Sequence, residues 1–169
     1  MKHLRRTIVI LLLLTATTFA QNRPPVTPPE IRQAIADGNI AWGKARVSLD
    51  TKTFEQYLAP DFYVQLPDRK ITRQEFIDHI SKLPPGVTLT RFDAFPLTIE
   101  HKDDTWVAII EEKLEATRKM EDGTVSKLYT LSITRDGWKK TSEGKWIVLF
   151  SEQVGVERWQ GDPPPIPGW

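Results

Sequence analysis

Cysteine is absent from all 169 residues of this chain. Its absence excludes disulfides, thiol nucleophiles, thiolate metal ligands and lipidated thiols. Histidine is scarce, with three residues, and no HExxH sequence or aspartate-rich loop accompanies them. Because the nucleophile-elbow, P-loop and dinucleotide-binding fingerprints are missing too, we expect neither a bound metal nor a cofactor.

Long basic runs are missing as well. The chain has 23 Lys and Arg residues against 22 Asp and Glu residues, and three of the basic ones lie in the first twenty positions. Beyond position 20 the count is 20 basic residues against 22 acidic ones, a net charge of −2. A nucleic-acid partner is therefore not expected, since such binding depends on clustered Lys and Arg.

The first twenty residues have the pattern of a secretory signal peptide. Lys2, Arg5 and Arg6 precede the apolar run 8–14, and Thr18-Phe19-Ala20 supplies the small residues of a cleavage site. The run is shorter than the roughly 20 residues that cross a bilayer. We expect a secreted or periplasmic protein with no stable membrane anchor after removal of residues 1–20.

Helices are predicted in the first half of the remaining chain. Residues 21–27 form a proline-bearing extended leader, and a Thr27/Glu30 capping box predicts a long amphipathic helix from Pro28 to about Ser48. Two glycines in this helix lower its propensity but would allow close packing. A cap at Asp50 predicts a short second helix that ends before Pro60.

A hairpin and a third helix follow. Residues 62–66 and 69–71 have the composition of two short strands around a Pro-Asp turn. Thr72 and Glu75 then form a second capping-box pattern, which opens a helix that a Pro-Pro-Gly sequence ends.

The second half reads as four long strands with short connections, an antiparallel meander. The predicted strands cover residues 87–100, 106–118, 125–135 and 146–154, and the last connection covers residues 136–145. The domain is thus expected at residues 28–155, followed by a proline-rich tail at 156–169. This element order predicts an α+β fold.

Two segments resemble a known superfamily. Residues 50–64 and 68–76 are similar to the opening of SnoaL-like and DUF4440-type domains of the NTF2-like superfamily. Residues 136–138 and 143–149 resemble the ending of the same domains. The resemblance covers about residues 30–155 and implies a cone-shaped barrel, in which helices pack on the concave face of a bent, mainly antiparallel sheet.

The resemblance implies a pocket between the helices and the sheet, and often a dimer that forms through the sheet. It implies no single activity, since the superfamily includes isomerases, dehydratases, cyclases and non-enzymatic binding or assembly modules. Apolar residues on both faces of the last predicted strand also favour a homodimer through the convex sheet face.

Three carboxylates are candidate site residues, because an acid between apolar walls can acquire a raised pKa and move protons. Strand alternation places Glu112 in an otherwise apolar row, where it would either face the pocket or pair with an arginine such as Arg135. Glu152 interrupts the last strand in the same way. Asp61 resembles the acidic residue that precedes the first strand of the family, although a turn or cap would equally explain it.

Aromatic residues and one histidine complete the candidates. Tyr57, Tyr63 and Tyr129 have hydroxyls that could orient a ligand or be satisfied within the core. Trp42 is expected at the cavity. His79 could reach the cavity mouth from the third helix or take a packing role.

These residues support three hypotheses for the function. The first is an exported domain that binds a small, largely apolar molecule in its cone without catalysis. The second is an isomerase, dehydratase or cyclase, in which Glu112 or Asp61 moves a proton and a tyrosine polarises a carbonyl. The third is a dimeric assembly module. Convergence of the acids with a tyrosine would favour the enzyme, whereas filling by Trp42, Phe54 and Trp146 would favour the assembly module.

Overall fold

The computed structural model describes residues 26–166. The predicted signal peptide therefore lies outside the described residues, as do most of the leader and the last three residues of the tail. Within the described part, three helices cover one face of a six-stranded sheet. The predicted α+β fold with a mainly antiparallel sheet is confirmed.

The long first helix, α1, spans Pro29–Ser48. The capping box predicted at its start is wrong, because no side chain in the described part of the chain caps the helix. Instead, the Thr27 hydroxyl donates a 2.6 Å hydrogen bond to the carbonyl oxygen of Ile99, on the sheet. This bond holds the start of α1 against the sheet instead of capping the helix.

The two shorter helices begin as predicted. In α2, Thr51–Tyr57, the Asp50 carboxylate accepts hydrogen bonds from the backbone N–H groups of Lys52 and Thr53. In α3, Arg73–Ile80, Thr72 and Glu75 form both bonds of the capping box. Each cap satisfies N–H groups that have no partner within the helix.

The sheet is mixed and open. Its strands are β1 Leu58–Gln65, β2 Lys70–Thr72, β3 Val87–Lys102, β4 Thr105–Lys119, β5 Val125–Lys140 and β6 Trp146–Gln160. Their order is β2-β1-β6-β5-β4-β3, so within the described residues β2 and β3 form the two edges. The predicted meander of β3 to β6 is present, and among the strand pairs in residues 26–166 only β1–β6 is parallel.

Three boundaries differ from the sequence prediction. The first strand, predicted from residue 62, begins at Leu58. The connection predicted at 136–145 is wrong, because β5 continues through Asp136, Gly137 and Trp138 to Lys140. The last strand also continues to Gln160, so the first residues of the predicted tail belong to the sheet. Pairing with a long neighbouring strand extends both β5 and β6, and in β5 it outweighs the turn preference of the Asp136-Gly137 pair.

A β-bulge changes the phase of β6. Gly137 pairs with Phe150, whereas the next residue, Trp138, pairs with Val148, so Leu149 is an extra residue. Val148 and Ser151 consequently both lie on the helix-covered face although they are three positions apart.

The core lies between α1 and the centre of the sheet. Trp138 is fully buried there, with its ring centroid 6.4 Å from that of Trp42. Trp42 also contacts Phe54 and Phe62, at centroid distances of 5.3 and 6.4 Å. These aromatic contacts join all the layers of the domain.

Gly43 lets α1 approach β3 closely, and we expect Gly43→Ala to lower the free energy of unfolding by about 1–3 kcal/mol. A Cβ at this position would lie 2.7 Å from the backbone oxygen of Phe92, which cannot rotate away. This effect exceeds the roughly 1 kcal/mol by which alanine favours a helix over glycine. Urea unfolding followed by circular dichroism measures the difference.

Gly155→Ala is the control, because a Cβ there would meet nothing within 4 Å. It should change the stability by less than about 0.5 kcal/mol. Equal stability of the Gly43→Ala variant and the parent protein would contradict the assigned contact.

Candidate functional site

A cavity of about 560 Å³ lies between the helices and the sheet. Its volume falls in the range of roughly 300–1,000 Å³ that is usual for small-molecule sites. All three helices and all six strands contribute to its wall. Trp42 and Phe54 line this wall but leave the cavity open, and Trp146 is not part of the lining.

One side of the cavity is apolar and largely aromatic. Trp42, Phe54 and Phe76 pack against one another, with ring centroids 5.3–6.1 Å apart. The remaining apolar lining consists of Val64, Leu66, Ile71, Phe92 and Leu114. Interlocked rings hold such a wall in shape, so the apolar side is preformed for a flat or branched ligand.

Two unsatisfied donors lie on the α1 side of the cavity. Trp42 and Arg46 are one helical turn apart and both line it. Nε1 of Trp42 and Nη1 of Arg46 are buried and have no hydrogen-bond partner among the described residues. Burial lowers the pKa of Arg46, and the negative potential of Glu112 opposes that shift.

Glu112 lines the cavity from β4. The pKa of its carboxyl is raised to about 8, first by burial and then by the negative charge of Asp136, while Arg46 opposes both effects. Within the described part of the chain, no ion pair joins Glu112 to Arg46. At neutral pH this carboxyl is therefore mainly protonated and can donate a hydrogen bond.

Asp136 is buried behind the cavity floor, with only 1% of its surface exposed. Its Oδ1 accepts a 2.7 Å hydrogen bond from the Ser151 hydroxyl. Burial raises the pKa of Asp136 to about 6, although the hydroxyls of Ser151 and Thr134 favour the charged form. Thr134 and Ser151 line the cavity, so the two hydroxyls lie between Asp136 and the open space.

The cavity mouth carries exposed charged groups. Arg69 follows β1, Glu75 and His79 belong to α3, and Arg158 lies near the end of β6. The Glu75 carboxylate is occupied by the capping box of α3. Three guanidinium groups and two carboxyl groups therefore line the whole cavity, and one of the carboxyls, Glu112, is mainly neutral at pH 7.

Comparison with solved structures identifies the fold. A conserved protein from Planctomyces limnophilus superposes with a TM-score of 0.64 at 15% identity, over 77% of this chain and 98% of the other. An NTF2-like protein from Novosphingobium aromaticivorans gives 0.56 at 18% identity, over 86% and 85%. An NTF2-like protein from Cytophaga hutchinsonii gives 0.53 at 20% identity, over 73% and 97%. This chain has the NTF2-like fold.

The similarity to these structures is one of fold. No family model and no curated protein matches the chain. None of the helices within residues 26–166 combines the length and apolar composition needed to cross a membrane. The described residues also contain no group of three or more His, Asp or Glu side chains placed to hold a metal ion.

Three of the candidate site residues from the sequence analysis line the NTF2-like cavity: Trp42, Glu112 and His79. Trp42 is buried in the wall, Glu112 lies in the interior, and His79 is exposed at the mouth. Alternation along β4 gave the correct face for Glu112, because that strand has no bulge relative to β5.

The other candidates lie outside the cavity lining. Asp61 is exposed on β1, and Tyr57 lies at the end of α2 beside Gly38. Tyr63 stacks on Phe150, with ring centroids 5.9 Å apart, under the Lys70 ammonium. Tyr129 is buried on β5, in the row opposite to that of Thr130 and Ser132.

Glu152 points away from the cavity because of the bulge at Leu149. It pairs with Arg135, the residue directly opposite on β5. Ser151 and Gln153 take the cavity positions on this strand. The arginine considered as a partner for Glu112 is thus occupied by Glu152.

Sequence reasoning missed Arg46 and the hydroxyl row of β5. A basic residue on an amphipathic helix is usually expected to face solvent, but the spacing of four between Trp42 and Arg46 puts the two on one face. Thr130, Ser132 and Thr134 alternate along β5 and lead to Asp136. This polar alternation was the available signal for a strand with one face on a polar cavity.

Proposed function

We propose that this chain is an exported NTF2-like domain of the SnoaL-like or DUF4440 type, which binds a small, largely apolar molecule in its cavity. The observation that carries the proposal is an open cavity of about 560 Å³ with an aromatic wall and a polar side that carries Arg46, Glu112 and several hydroxyl groups. Such a combination is typical of small-molecule sites.

The arrangement supports binding more than the proposed alternatives. For an isomerase, dehydratase or cyclase, Glu112 would need a second catalytic group, yet Asp61 and the three tyrosines lie away from the lining. For an assembly module without a cavity, the aromatic residues would have to fill the space that remains open. A binding domain requires neither condition.

A homodimer through the sheet remains part of this proposal. On the face opposite the helices, Val107 and Ile109 of β4 and Leu131 and Ile133 of β5 are only half-buried within the single chain. A second copy would cover this apolar strip. Sedimentation velocity tests the homodimer. A monomer at all protein concentrations would contradict it.

Binding is tested by a thermal-shift panel of neutral and charged aromatic or carbonyl compounds. We expect a subset to raise the melting temperature by a few degrees, since a ligand at about 100 times its Kd stabilises by about 2.7 kcal/mol. Thr130→Trp, which fills space in the cavity, should abolish these shifts. Thr98→Trp, at an exposed position of β3, is the matched control and should keep them. Uniformly absent shifts would count against the proposal.

A further inference from the structure

Two described side chains of the cavity wall carry hydrogen-bond donors that have no partner. Nη1 of Arg46 and Nε1 of Trp42 are buried donors without partners, and both belong to side chains that line the cavity. Unpartnered buried donors are costly, more so when the donor is charged. A ligand that supplies an acceptor at this place would relieve that cost.

Arg46 and Glu112 face the same space without forming an ion pair. Because no ion pair ties the two side chains to each other, both remain available to a ligand in the space that they line. A ligand group there must accept hydrogen bonds from the guanidinium, and it can also accept one from a protonated Glu112. A carboxylate meets both demands, because its two oxygens provide about four acceptor positions.

The charge around the cavity favours the same chemistry. Three arginines face two carboxyls, and Glu75 is already occupied by its helix cap. The remainder of the lining consists of apolar side chains and hydroxyl or amide groups, apart from His79 at the mouth. The apolar wall would hold the body of the ligand while the basic groups attract its charged end.

We propose that the ligand is an amphipathic carboxylic acid, whose carboxylate binds between Arg46 and Glu112 and whose apolar body packs on Phe54, Phe76 and Leu114. This inference rests on the proposed function and narrows it to one ligand class. Glu112 acts in its neutral form as a donor to the carboxylate, so its ionisation places two like charges together and weakens binding.

Several charged groups share the surroundings of Glu112. They are Arg46 from α1, Arg69 from the β1–β2 turn, Glu75 and His79 from α3, Arg158 from β6 and the buried Asp136 from β5.

The raised pKa of Glu112 places the loss of affinity for the carboxylate near pH 8. Glu112→Gln keeps a neutral donor at this position and should bind the carboxylate with no such loss.

The test compares 2-naphthoate with 2-naphthamide by isothermal titration calorimetry on the purified protein. At about pH 7 we expect the carboxylate to bind at least about 10-fold more tightly than the amide, because a charge-assisted hydrogen bond to arginine is stronger than a neutral one. Arg46→Met should reduce naphthoate affinity to that of the amide and leave the amide within about 3-fold. Arg46→Lys, which keeps the charge, should retain part of the preference and serves if the methionine variant does not fold.

Arg135→Met is the matched control, since Arg135 pairs with Glu152 outside the cavity. It should leave both affinities unchanged. The inference would be overturned by equal affinities for naphthoate and naphthamide, or by an Arg46→Met variant that keeps the full preference for naphthoate. In either case the measured affinity for the amide would still support a binding cavity. Failure of both probes to bind would overturn the inference and would also count against the proposed function.

Discussion

Trp138→Ala should lower the free energy of unfolding by about 3–5 kcal/mol, the usual cost of truncating a fully buried tryptophan. Trp138 has no exposed surface and packs between α1 and the sheet. A Cβ on Gly38 would lie 2.6 Å from Cη2 of its ring, so helix and ring are already in close contact. The helix cannot move inward far enough to fill the space that the ring leaves, and a cavity would remain.

Urea unfolding measures this loss, with Phe95→Ala as the control. Phe95 is 51% exposed on β3, and its truncation should cost less than about 1 kcal/mol. Trp138→Phe should fall between the parent protein and Trp138→Ala, because it restores part of the ring. A cost below about 1 kcal/mol for Trp138→Ala would contradict the tight packing described for α1 on β5.

Stability should fall as the pH rises from about 5 to about 9. Glu112 and Asp136 have pKa values of about 8 and about 6 in the folded protein, above the ordinary values of 4.5 and 3.8. Between the ordinary and raised values, the folded state keeps protons that the unfolded chain has lost, so folding is favoured at the acidic end. One unit of pKa displacement corresponds to about 1.4 kcal/mol, and the parts of the two displacements that fall within this pH range give an expected loss on the order of 5 kcal/mol.

The variants Asp136→Asn and Glu112→Gln separate the two contributions. Each should flatten its own part of the profile, Asp136→Asn below about pH 6 and Glu112→Gln up to about pH 8. Glu157→Gln, an exposed acid on β6, is the control and should leave the profile unchanged. A stability that is constant or rises with pH in this range would contradict the burial of the two acids.

Much of the fold could be predicted from local signals. The caps at Asp50 and Thr72 marked the starts of α2 and α3, and the length of the apolar runs gave the four-strand meander. These features follow from interactions between residues a few positions apart, which a single sequence displays directly. The same holds for Glu112, whose face on β4 follows from simple alternation.

The remaining features depend on contacts between distant segments. Thr27 bonds to Ile99 rather than capping α1, and Asp136 continues a strand because β4 and β6 pair on both sides of it. Nothing near Arg46 in the sequence indicates that its guanidinium lies opposite a glutamate on β4. The position of the cavity could therefore be predicted from the sequence, whereas the presence of Arg46 in its wall and of Asp136 behind it could not.

The extra residue at Leu149 is matched by a second one at Val154, so only a short segment of β6 is out of phase with uninterrupted alternation. Within that segment Ser151 and Gln153 line the cavity, whereas uninterrupted alternation would place Phe150 and Glu152 there. Val148 before the segment and Arg158 after it keep the face that alternation gives them. A pair of bulges thus replaces an aromatic ring and a carboxylate in the cavity wall with a hydroxyl and an amide, and the rest of the strand is unaffected.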